Sequence, residues 1–522
     1  MFDLIHQYRL TACQRFCYGV GHVLNDLCAI LWCTYLLIYY TEVLGLSCVM
    51  AGWLFLLGQT VVAIATPIIS LEAFRMASWC GYQKRKVSHI CGVCCVVIGF
   101  ALLFNPEMFL PPGYYSLSDD YKLSLAIYYA PSIVIYQLGW ALCQVSYVAF
   151  IPSLTDDMGE KEQLNFIRHS FMVGAHMVVY AILWLLLAVR STGTLQFPFE
   201  DYRVFQILVW TVLGIGASFT LIFHMGTKEV LRDHDELNWI ALRSSRLIRN
   251  IVGWLKSPQF YCVGTLYIAT RLMINILQVY IAFYITKTLR LPTVYIAIVP
   301  LVMCVTGFIT TYPGRFLSLH LGKKVVYIIG LLSMAGSCVW LHLLDEGTAS
   351  LIFQLLGATA LVGIAESTLL MLSLTLTADL IQLDKESAAF VYGSMDVADK
   401  ILSGISVFII QIIYPHAPSR EFYRYIVAVI PLVLSFISLL ALPFVKSKKL
   451  AEAEKQSVYD TLHRSSKWTT YGTMKEEMFD HFSTTLTETV DGSYGMSSSL
   501  HLSRDLGSSN ILTGQSDSLD DY

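Results

Sequence analysis

The sequence predicts an all-α membrane protein that crosses the lipid bilayer twelve times. Of the 522 residues, 55% are hydrophobic and only 14% are charged, whereas a typical soluble domain carries about 25% charged residues. Apolar stretches of spanning length recur along the chain, and about 20 helical residues cross a hydrocarbon layer of roughly 30 Å. The composition and the repeated stretches together exclude an ordinary water-soluble fold.

Twelve apolar segments define the predicted helices in chain order. They lie near residues 14–40, 49–71, 87–105, 124–151, 169–190, 203–225, 259–286, 293–312, 324–343, 350–380, 388–414 and 423–446. The connection at residues 227–257 is the longest and most basic internal loop, and it divides the segments into six and six. We therefore predict an N-terminal six-helix bundle at residues 1–225, a basic cytosolic linker at 226–258, a C-terminal six-helix bundle at 259–446 and a disordered cytosolic tail at 447–522.

The distribution of Lys and Arg predicts which helix ends face the cytosol. Basic residues concentrate in one alternating set of loops, which includes Lys84, Arg85 and Lys86 after the second segment and the loop at residues 227–257. Short cytosolic loops of membrane proteins are enriched in Lys and Arg. We therefore expect this set of loops, and with it both termini, to lie in the cytosol.

The sequence of the C-terminal tail predicts a disordered segment with candidate sorting motifs rather than a folded domain. After Lys449 the apolar period disappears, and Ser, Thr, Asp, Gly and Glu dominate, a composition that buries too little apolar surface to fold. Tyr459-Asp-Thr-Leu462 and Tyr471-Gly-Thr-Met474 have the Tyr-x-x-bulky-apolar form that endosomal sorting adaptors read. Such short matches are also common by chance, so sorting adaptors are candidate partners only.

Three ionisable residues, Asp26, Arg271 and Lys400, lie deep inside apolar segments. At 1.5 Å per residue from the predicted cytosolic ends, each reaches the middle third of the hydrocarbon layer. A charge at this depth costs about 2.5–3.5 kcal/mol on insertion scales, and it usually faces a partner or a water-filled cavity. The three residues predict a pathway for a solute or an ion, and hence a transporter. The alternative is that Asp26 pairs with Arg271 or Lys400 only to neutralise buried charge.

The opposite signs of these charges suit a zwitterionic amino acid. Asp26 would bind the ammonium group, and the carboxylate would be bound by Arg271 through a bidentate fork or by Lys400 as a point charge. His22 lies one helical turn before Asp26, and a His–Asp pair can carry a proton near neutral pH. We therefore predict that His22 and Asp26 couple transport to protons, with a purely structural histidine as the alternative.

Other polar residues share helix faces with these charges. Asn275 and Gln278 continue the stripe of Arg271 at helical spacing, and such stripes either line a cavity or hold helices together. The predicted substrate-binding residues are Asp26, Arg271, Lys400, Asn275, Gln278, Gln144, Trp140 and Tyr392. The predicted gating and charge network consists of Asp396, Asp399, Glu366, Asp379 and Arg75, with Asp396 as a local partner of Lys400.

Several sequence strings carry a resemblance to a known family. Residues 18–26 (YGVGHVLND), residues 39–47 (YYTEVLGLS) and the eleventh segment with its Lys400 resemble the glycoside–pentoside–hexuronide cation symporters, the melibiose-permease branch of the major facilitator superfamily. Animal members of this branch are similar in the strings at residues 21–28, 34–37, 270–272, 298–303, 377–381 and 390–395. The resemblance covers almost all of the membrane region and neither the basic loop nor the tail.

The resemblance implies two six-helix bundles that rock around a central cavity by alternating access. It also implies residence in the membrane of lysosomes and related organelles such as melanosomes, hence a role in pigmentation, and import of cysteine from the cytosol. Sodium-coupled relatives carry acidic residues where this chain has Val62, Thr66 and Gln144. A hard cation needs oxygen ligands, so the departures argue against sodium coupling.

Two other functions fit the same residues. One is a proton- or cation-coupled sugar symporter, although the paired opposite charges favour an amino acid over a neutral sugar. The other is a non-transporting membrane scaffold or sensor that acts through its tail. The sequence shows no nucleophile–base pair and no metal-ligand set, so we expect neither an enzyme nor a cofactor or metal. A net charge of −3 gives no indication of a nucleic-acid partner.

Overall fold

The computed structural model describes residues 10–72, 84–105, 119–155, 158–190, 202–227, 252–346, 350–381, 388–416 and 419–445. Within these ranges lie twelve helices that are long and apolar enough to cross a membrane, which confirms the predicted number of spans. Most of the predicted linker, the tail with both tyrosine motifs, and Arg75 lie outside the described residues.

The helices of the first half are α1 (Ala12–Val43), α2 (Cys48–Glu72), α3 (Lys84–Phe104), α4 (Asp119–Leu154), α5 (Met158–Arg190) and α6 (Tyr202–Gly226). Those of the second half are α7 (Pro258–Thr288), α8 (Tyr295–Leu321), α9 (Lys323–Leu343), α10 (Leu351–Ile381), α11 (Ala388–Ile413) and α12 (Phe422–Phe444).

Two predicted boundaries were wrong by several residues. Helix α5 begins at Met158 rather than near residue 169, and α8 ends at Leu321 rather than near residue 312. In both places the helix continues beyond the apolar stretch into turns that contain polar residues, so a boundary predicted from hydrophobicity alone falls short. The extension of α5 is held to α1, because Arg15 Nη2 donates to Glu160 Oε1 at 2.7 Å and Arg15 Nε donates to Glu160 Oε2 at 3.1 Å.

The helices pack mainly within their own half, and three helix pairs make the main contacts between the halves. In the first half α3 packs on α4 and α1 packs on α5 and α6, while in the second half α7 packs on α12, and α8 and α9 pack on α10. Between the halves α1 contacts α7, α2 contacts α11, and α5 contacts α8. Of the residues in the most apolar stretch of each helix, 89% are buried in α1 and 67% in α7. These two central helices carry Asp26 and Arg271.

Helices α1 and α7 end in the same irregular turn. Each closes with a five-residue π-helical turn, Tyr39–Val43 in α1 and Tyr284–Thr288 in α7. In both turns the residue that follows, Leu44 or Leu289, donates its N–H to the first carbonyl of the turn at 3.0 Å. Gly45 and Arg290 come next, with φ of +67° and +51° respectively. The shared backbone indicates that α1 and α7 are equivalent helices of an internal repeat.

The two equivalent turns also contact each other. Glu42 and Lys287 are each the fourth residue of their turn, and Lys287 Nζ lies 2.5 Å from Glu42 Oε2. Nearby, the Tyr35 hydroxyl of α1 donates to the Ile296 carbonyl of α8 at 3.1 Å. We call this end of the bundle, opposite the predicted cytosolic face, the distal end. Polar contacts therefore join the halves at the distal end.

Candidate functional site

The first charged centre lies on α1, directly after a single 3₁₀ turn at Val20–His22. His22 Nδ1 lies 2.8 Å from Asp26 Oδ1, and both side chains are buried. Asn25 Nδ2 lies 3.2 Å from His22 Nε2 and 3.3 Å from the Trp140 carbonyl oxygen. Because an amide nitrogen only donates, this network assigns the proton of a neutral His22 to Nδ1, which donates it to Asp26. The imidazole and the carboxylate are thus held in a fixed orientation.

The second charged centre lies between α7 and α11. Arg271 Nε donates to Asp399 Oδ2 at 3.1 Å. Asn275 Nδ2 donates to Asp399 Oδ1 at 2.9 Å, and Ser403 Oγ donates to the same oxygen at 3.3 Å. The Asp399 side chain is fully buried, whereas that of Arg271 is 25% exposed. Three donors therefore satisfy the buried carboxylate, and the guanidinium keeps surface for a further partner.

Lys400 faces the other half of the molecule. Its Nζ lies 5.6 Å from the ring centroid of Trp140 on α4, within the range of a cation–π interaction. Cys33 on α1, seven residues after Asp26, lies within electrostatic range of Lys400, Arg271 and Asp399. Lys400 thus lies beside Trp140 of α4, whose carbonyl oxygen contacts Asn25 next to the first charged centre.

The buried charged residues form different ion pairs from those considered in the sequence analysis. The sequence offered Arg271 or Lys400 as the partner of Asp26, but the structure pairs Asp26 with His22, and Arg271 with Asp399. Asp396, predicted to be a local partner of Lys400, lies within electrostatic range of Arg271. Asp26 and Asp399 each find their partner within their own half, one turn away on the same helix for Asp26 and on helix α7 for Asp399.

Sequence reasoning missed the inner face of α5. His169 and His176 lie within electrostatic range of Asp26. Tyr180 lies on the same face, since 169, 176 and 180 are seven and four residues apart. Its hydroxyl lies 3.4 Å from Thr34 Oγ1 of α1 and within interaction range of Gln278 of α7. The helical spacing was visible in the sequence, but no formal charge drew attention to it.

The remaining predicted residues are spread along the helices. Gln144 Oε1 accepts a hydrogen bond from Arg168 Nη2 at 3.1 Å. Asp379 accepts from Lys323 Nζ through both carboxylate oxygens, at 2.9 and 2.8 Å, at the predicted cytosolic end of α10. Tyr392 is exposed near the start of α11. Glu366 Oε1 on α10 is buried and has no hydrogen-bond partner among the described residues.

The position of the sodium site of related symporters is apolar in this protein. Val62 is buried in a small cluster with Ala65 and Ala141, and Thr66 Oγ1 donates to the Val62 carbonyl at 2.8 Å. Within the described residues, no group of three or more His, Cys, Asp or Glu could hold a metal ion. The side chains around Val62 therefore offer a hard cation no carboxylate oxygen.

A separate groove of about 360 Å³ lies between α1, α5 and α6. Its lining is apolar apart from one serine and includes Val23, Leu27, Phe171, Ala175 and Phe219. A polar solute would lose its hydration there without gaining hydrogen bonds. The groove suits an acyl chain better than a zwitterion, and we do not include it in the candidate site.

The fold and the two charged centres are those of a membrane transporter. Residues 17–417 match the family model described as MFS/sugar transport protein. Because this match covers most of the chain, the protein belongs to the major facilitator superfamily, a class of secondary transporters.

Relatives place the chain more closely. Major facilitator superfamily domain-containing protein 12 of Homo sapiens is 38% identical over 78% of this chain and 86% of its own length. The uncharacterized symporter sll1374 of Synechocystis is 22% identical over 77% of this chain and 85% of its own length. The D-xylose-proton symporter structure superposes with a TM-score of 0.63 at 13% identity, covering 84% of this chain and 99% of that one. That likeness shows the fold alone, and it confirms the predicted major facilitator fold of two six-helix bundles.

Proposed function

We propose that this secondary transporter imports a small zwitterionic amino acid, cysteine, from the cytosol into lysosomes or lysosome-related organelles by alternating access. Cysteine, the organelle and the direction rest on the sequence resemblance of the membrane region. The cytosolic position of both termini rests on the distribution of Lys and Arg. Sorting adaptors that bind at Tyr459 and Tyr471 would deliver the protein to these organelles.

The observation that carries the proposal is the pair of charged centres on facing helices of the two halves. Asp26 supplies an anionic group for the substrate ammonium. Arg271 supplies a cationic fork for the substrate carboxylate, because its contact with Asp399 uses Nε and its side chain is 25% exposed. Such bidentate pairs give both energy and orientation. One zwitterion can thereby bridge the two halves.

The second charge near the carboxylate is Lys400. Its cation–π contact with Trp140 holds the ammonium between α11 and α4. Asn275 orients Asp399, and Gln278 lies within interaction range of Tyr180, so the predicted polar stripe of α7 connects the second charged centre to the inner face of α5. A substrate bound among these residues would contact both halves and would favour their closure around it.

Proton coupling in this proposal uses the buried His22–Asp26 pair. The 2.8 Å contact between His22 Nδ1 and Asp26 Oδ1 would let the imidazole and the carboxylate hold one proton between them. When a substrate ammonium binds Asp26, it competes with the imidazole for the same carboxylate. Sodium is not required, and the apolar surroundings of Val62 support its absence.

A sugar symporter is the second candidate function. The description of the matching family model, MFS/sugar transport protein, favours it. A neutral sugar has neither an ammonium group for Asp26 nor a carboxylate for Arg271, so it would gain no charge-assisted hydrogen bond from either centre. The opposed charges therefore favour the amino acid.

The test is uptake of labelled cysteine into proteoliposomes that contain the purified protein. We expect Asp26→Asn and Arg271→Lys each to weaken cysteine uptake about tenfold or more, because hydrogen bonds to charged groups contribute about 1.5–3 kcal/mol. Asp345→Asn, at an exposed carboxylate of the distal end, is the matched control and keeps wild-type uptake. Equal cysteine accumulation with and without protein would refute the substrate, and uptake of labelled hexose instead would establish the sugar alternative.

A further inference from the structure

We propose that Glu366 on α10 is a proton-binding residue of the transport cycle, separate from the His22–Asp26 pair. The proposal rests on the transport function proposed above and adds a residue of the second half to it. In this conformation Glu366 carries a proton, and it releases that proton to water when the two halves move apart.

The first observation is the isolation of the carboxyl group. Glu366 Oε1 is buried and has no hydrogen-bond partner among the described residues. The titratable groups that face it are the Cys304 thiol of α8 and the Tyr180 hydroxyl of α5. Neither group carries a positive charge. A carboxyl oxygen buried without a hydrogen-bond donor or a counter-charge favours the protonated form of the group.

The second observation is the contrast with the other acidic residues. Every other Asp or Glu whose side chain is described has a basic group at ion-pair distance or within electrostatic range. The ion pairs are Asp26 with His22, Glu42 with Lys287, Glu160 with Arg15, Asp345 and Glu421 with Arg424, Glu346 with Arg420, Asp379 with Lys323, and Asp399 with Arg271. Asp396 lies within electrostatic range of Arg271. Within the described part of the chain, Glu366 is therefore the acid without a basic neighbour.

The packing around Glu366 couples its surroundings to the movement of the halves. One turn earlier, Gly363 lets α10 pack so closely on α8 that a Cβ atom would overlap the Met303 carbonyl oxygen. Next to Glu366, Ser367 Oγ lies 3.3 Å from Thr311 Oγ1 of α8. Helices α8 and α10 therefore move as a unit, whereas Tyr180 belongs to α5 of the other half.

Separation of the halves consequently changes the environment of the carboxyl. When α5 moves away from α10, water replaces the Tyr180 side of the site and can solvate a carboxylate. The O–H bond of Glu366 then breaks, its proton passes to water, and the carboxylate remains on the protein. Closure requires a proton from water to bind again, so each cycle exchanges one proton at Glu366.

The decisive variant is Glu366→Gln, which mimics the protonated carboxyl in shape and charge. Since the amide is always neutral, exchange of labelled for unlabelled cysteine across the membrane is expected to stay within about twofold of the wild-type rate. Accumulation driven by a gradient of one pH unit should fall about tenfold. One proton moving down that gradient supplies about 1.36 kcal/mol, which corresponds to a tenfold concentration ratio of cysteine. Glu346→Gln, the same change in an exposed pair with Arg420, is the matched control.

A direct measurement separates this proposal from the transport function. The infrared difference spectrum of the purified protein, taken between acidic and alkaline buffer, should show the carbonyl stretch of a protonated carboxyl that is absent from Glu366→Gln. Glu366→Asp, which keeps the carboxyl, should retain a shifted band. If the band is present but the protein does not transport cysteine, the result would support proton binding at Glu366 and would refute cysteine as the substrate. An unchanged spectrum in Glu366→Gln, or gradient-driven accumulation equal to wild type, would overturn the role of Glu366.

Discussion

At the scale of single residues, the arrangement around Asp399 explains how a membrane protein can keep a cation available in its interior. The fully buried carboxylate receives hydrogen bonds from Arg271, Asn275 and Ser403. Its negative charge stabilises the guanidinium, and the hydrogen bonds fix its orientation. Removing one partner of such a pair leaves an uncompensated buried charge. Asp399 therefore positions Arg271 rather than binding substrate itself.

This arrangement predicts the effect of Asp399→Asn. The amide keeps the size of the side chain but loses the charge that holds Arg271 Nε, so the guanidinium loses its fixed orientation. We expect the KM for cysteine to rise about tenfold, with a smaller change in kcat, since hydrogen bonds to charged groups contribute about 1.5–3 kcal/mol. Initial uptake rates over a range of cysteine concentrations measure both constants.

Ser403→Ala provides the comparison for Asp399→Asn. It removes one neutral donor to the same carboxylate, so we expect a loss of about 1 kcal/mol at most and a nearly unchanged KM. A wild-type KM in Asp399→Asn would show that the charge does not position Arg271. Equal effects of the two variants would indicate a structural role for the whole cluster.

Part of this residue-scale arrangement could be predicted from the sequence. His22 and Asp26 are one turn apart on one helix, so their contact follows from helical spacing alone. The contact of Arg271 with Asp399 joins residues 128 positions apart, and spacing cannot specify which helices become neighbours. His169 and His176 escaped notice because an uncharged histidine in an apolar segment resembles a packing residue.

At the scale of helices, the equivalent turns of α1 and α7 explain how the distal end is held together. The fourth residue of each turn carries a charge, Glu42 in one and Lys287 in the other, and the two charges meet. An internal repeat brings equivalent positions face to face near its symmetry axis. Two residues of the same charge at these positions would therefore repel each other. The opposite charges of Glu42 and Lys287 attract instead.

The ion pair predicts a charge-reversal experiment. Glu42→Lys and Lys287→Glu each place like charges at the distal contact, so each should favour separation of the halves there and reduce cysteine exchange. Partly exposed pairs contribute about 0.2–1 kcal/mol, which corresponds to an effect of roughly 1.4-fold to fivefold. The double reversal restores the attraction and should recover most of the wild-type exchange rate. A double variant as impaired as the sum of both single variants would exclude a gating contact.

Helix lengths illustrate what the sequence could and could not specify at this scale. Twelve spans follow from the number of apolar stretches, because only a helix of that length satisfies its backbone within lipid. The early start of α5 at Met158 and the late end of α8 at Leu321 depend on polar turns outside the apolar layer. One of them is fixed by the contact of Glu160 with Arg15, which only the folded chain reveals.

At the scale of the whole molecule, residues 1–447 form one compact unit that contains all twelve helices. Both charged centres, the inner face of α5 and the distal contact lie within this unit. The two halves meet through α1 with α7, α2 with α11, and α5 with α8. Each of these pairs includes a helix that carries residues of the candidate site. Movement of one half against the other therefore changes the surroundings of the site. Transport should therefore require the membrane unit alone.

Truncation after Lys449 tests this conclusion against the scaffold alternative. Because every residue of the proposed site precedes that position, we expect the truncated protein to transport cysteine in proteoliposomes at the wild-type rate. In cells the same truncation, and Tyr459→Ala with Tyr471→Ala in the full chain, should reduce delivery to lysosomes, as fluorescence microscopy against a lysosomal marker would measure. A scaffold that acts through its tail predicts the reverse: loss of function on truncation even where delivery is normal, and full function in Asp26→Asn. Comparing the truncated chain with Asp26→Asn in both assays therefore decides between a transporter and a scaffold.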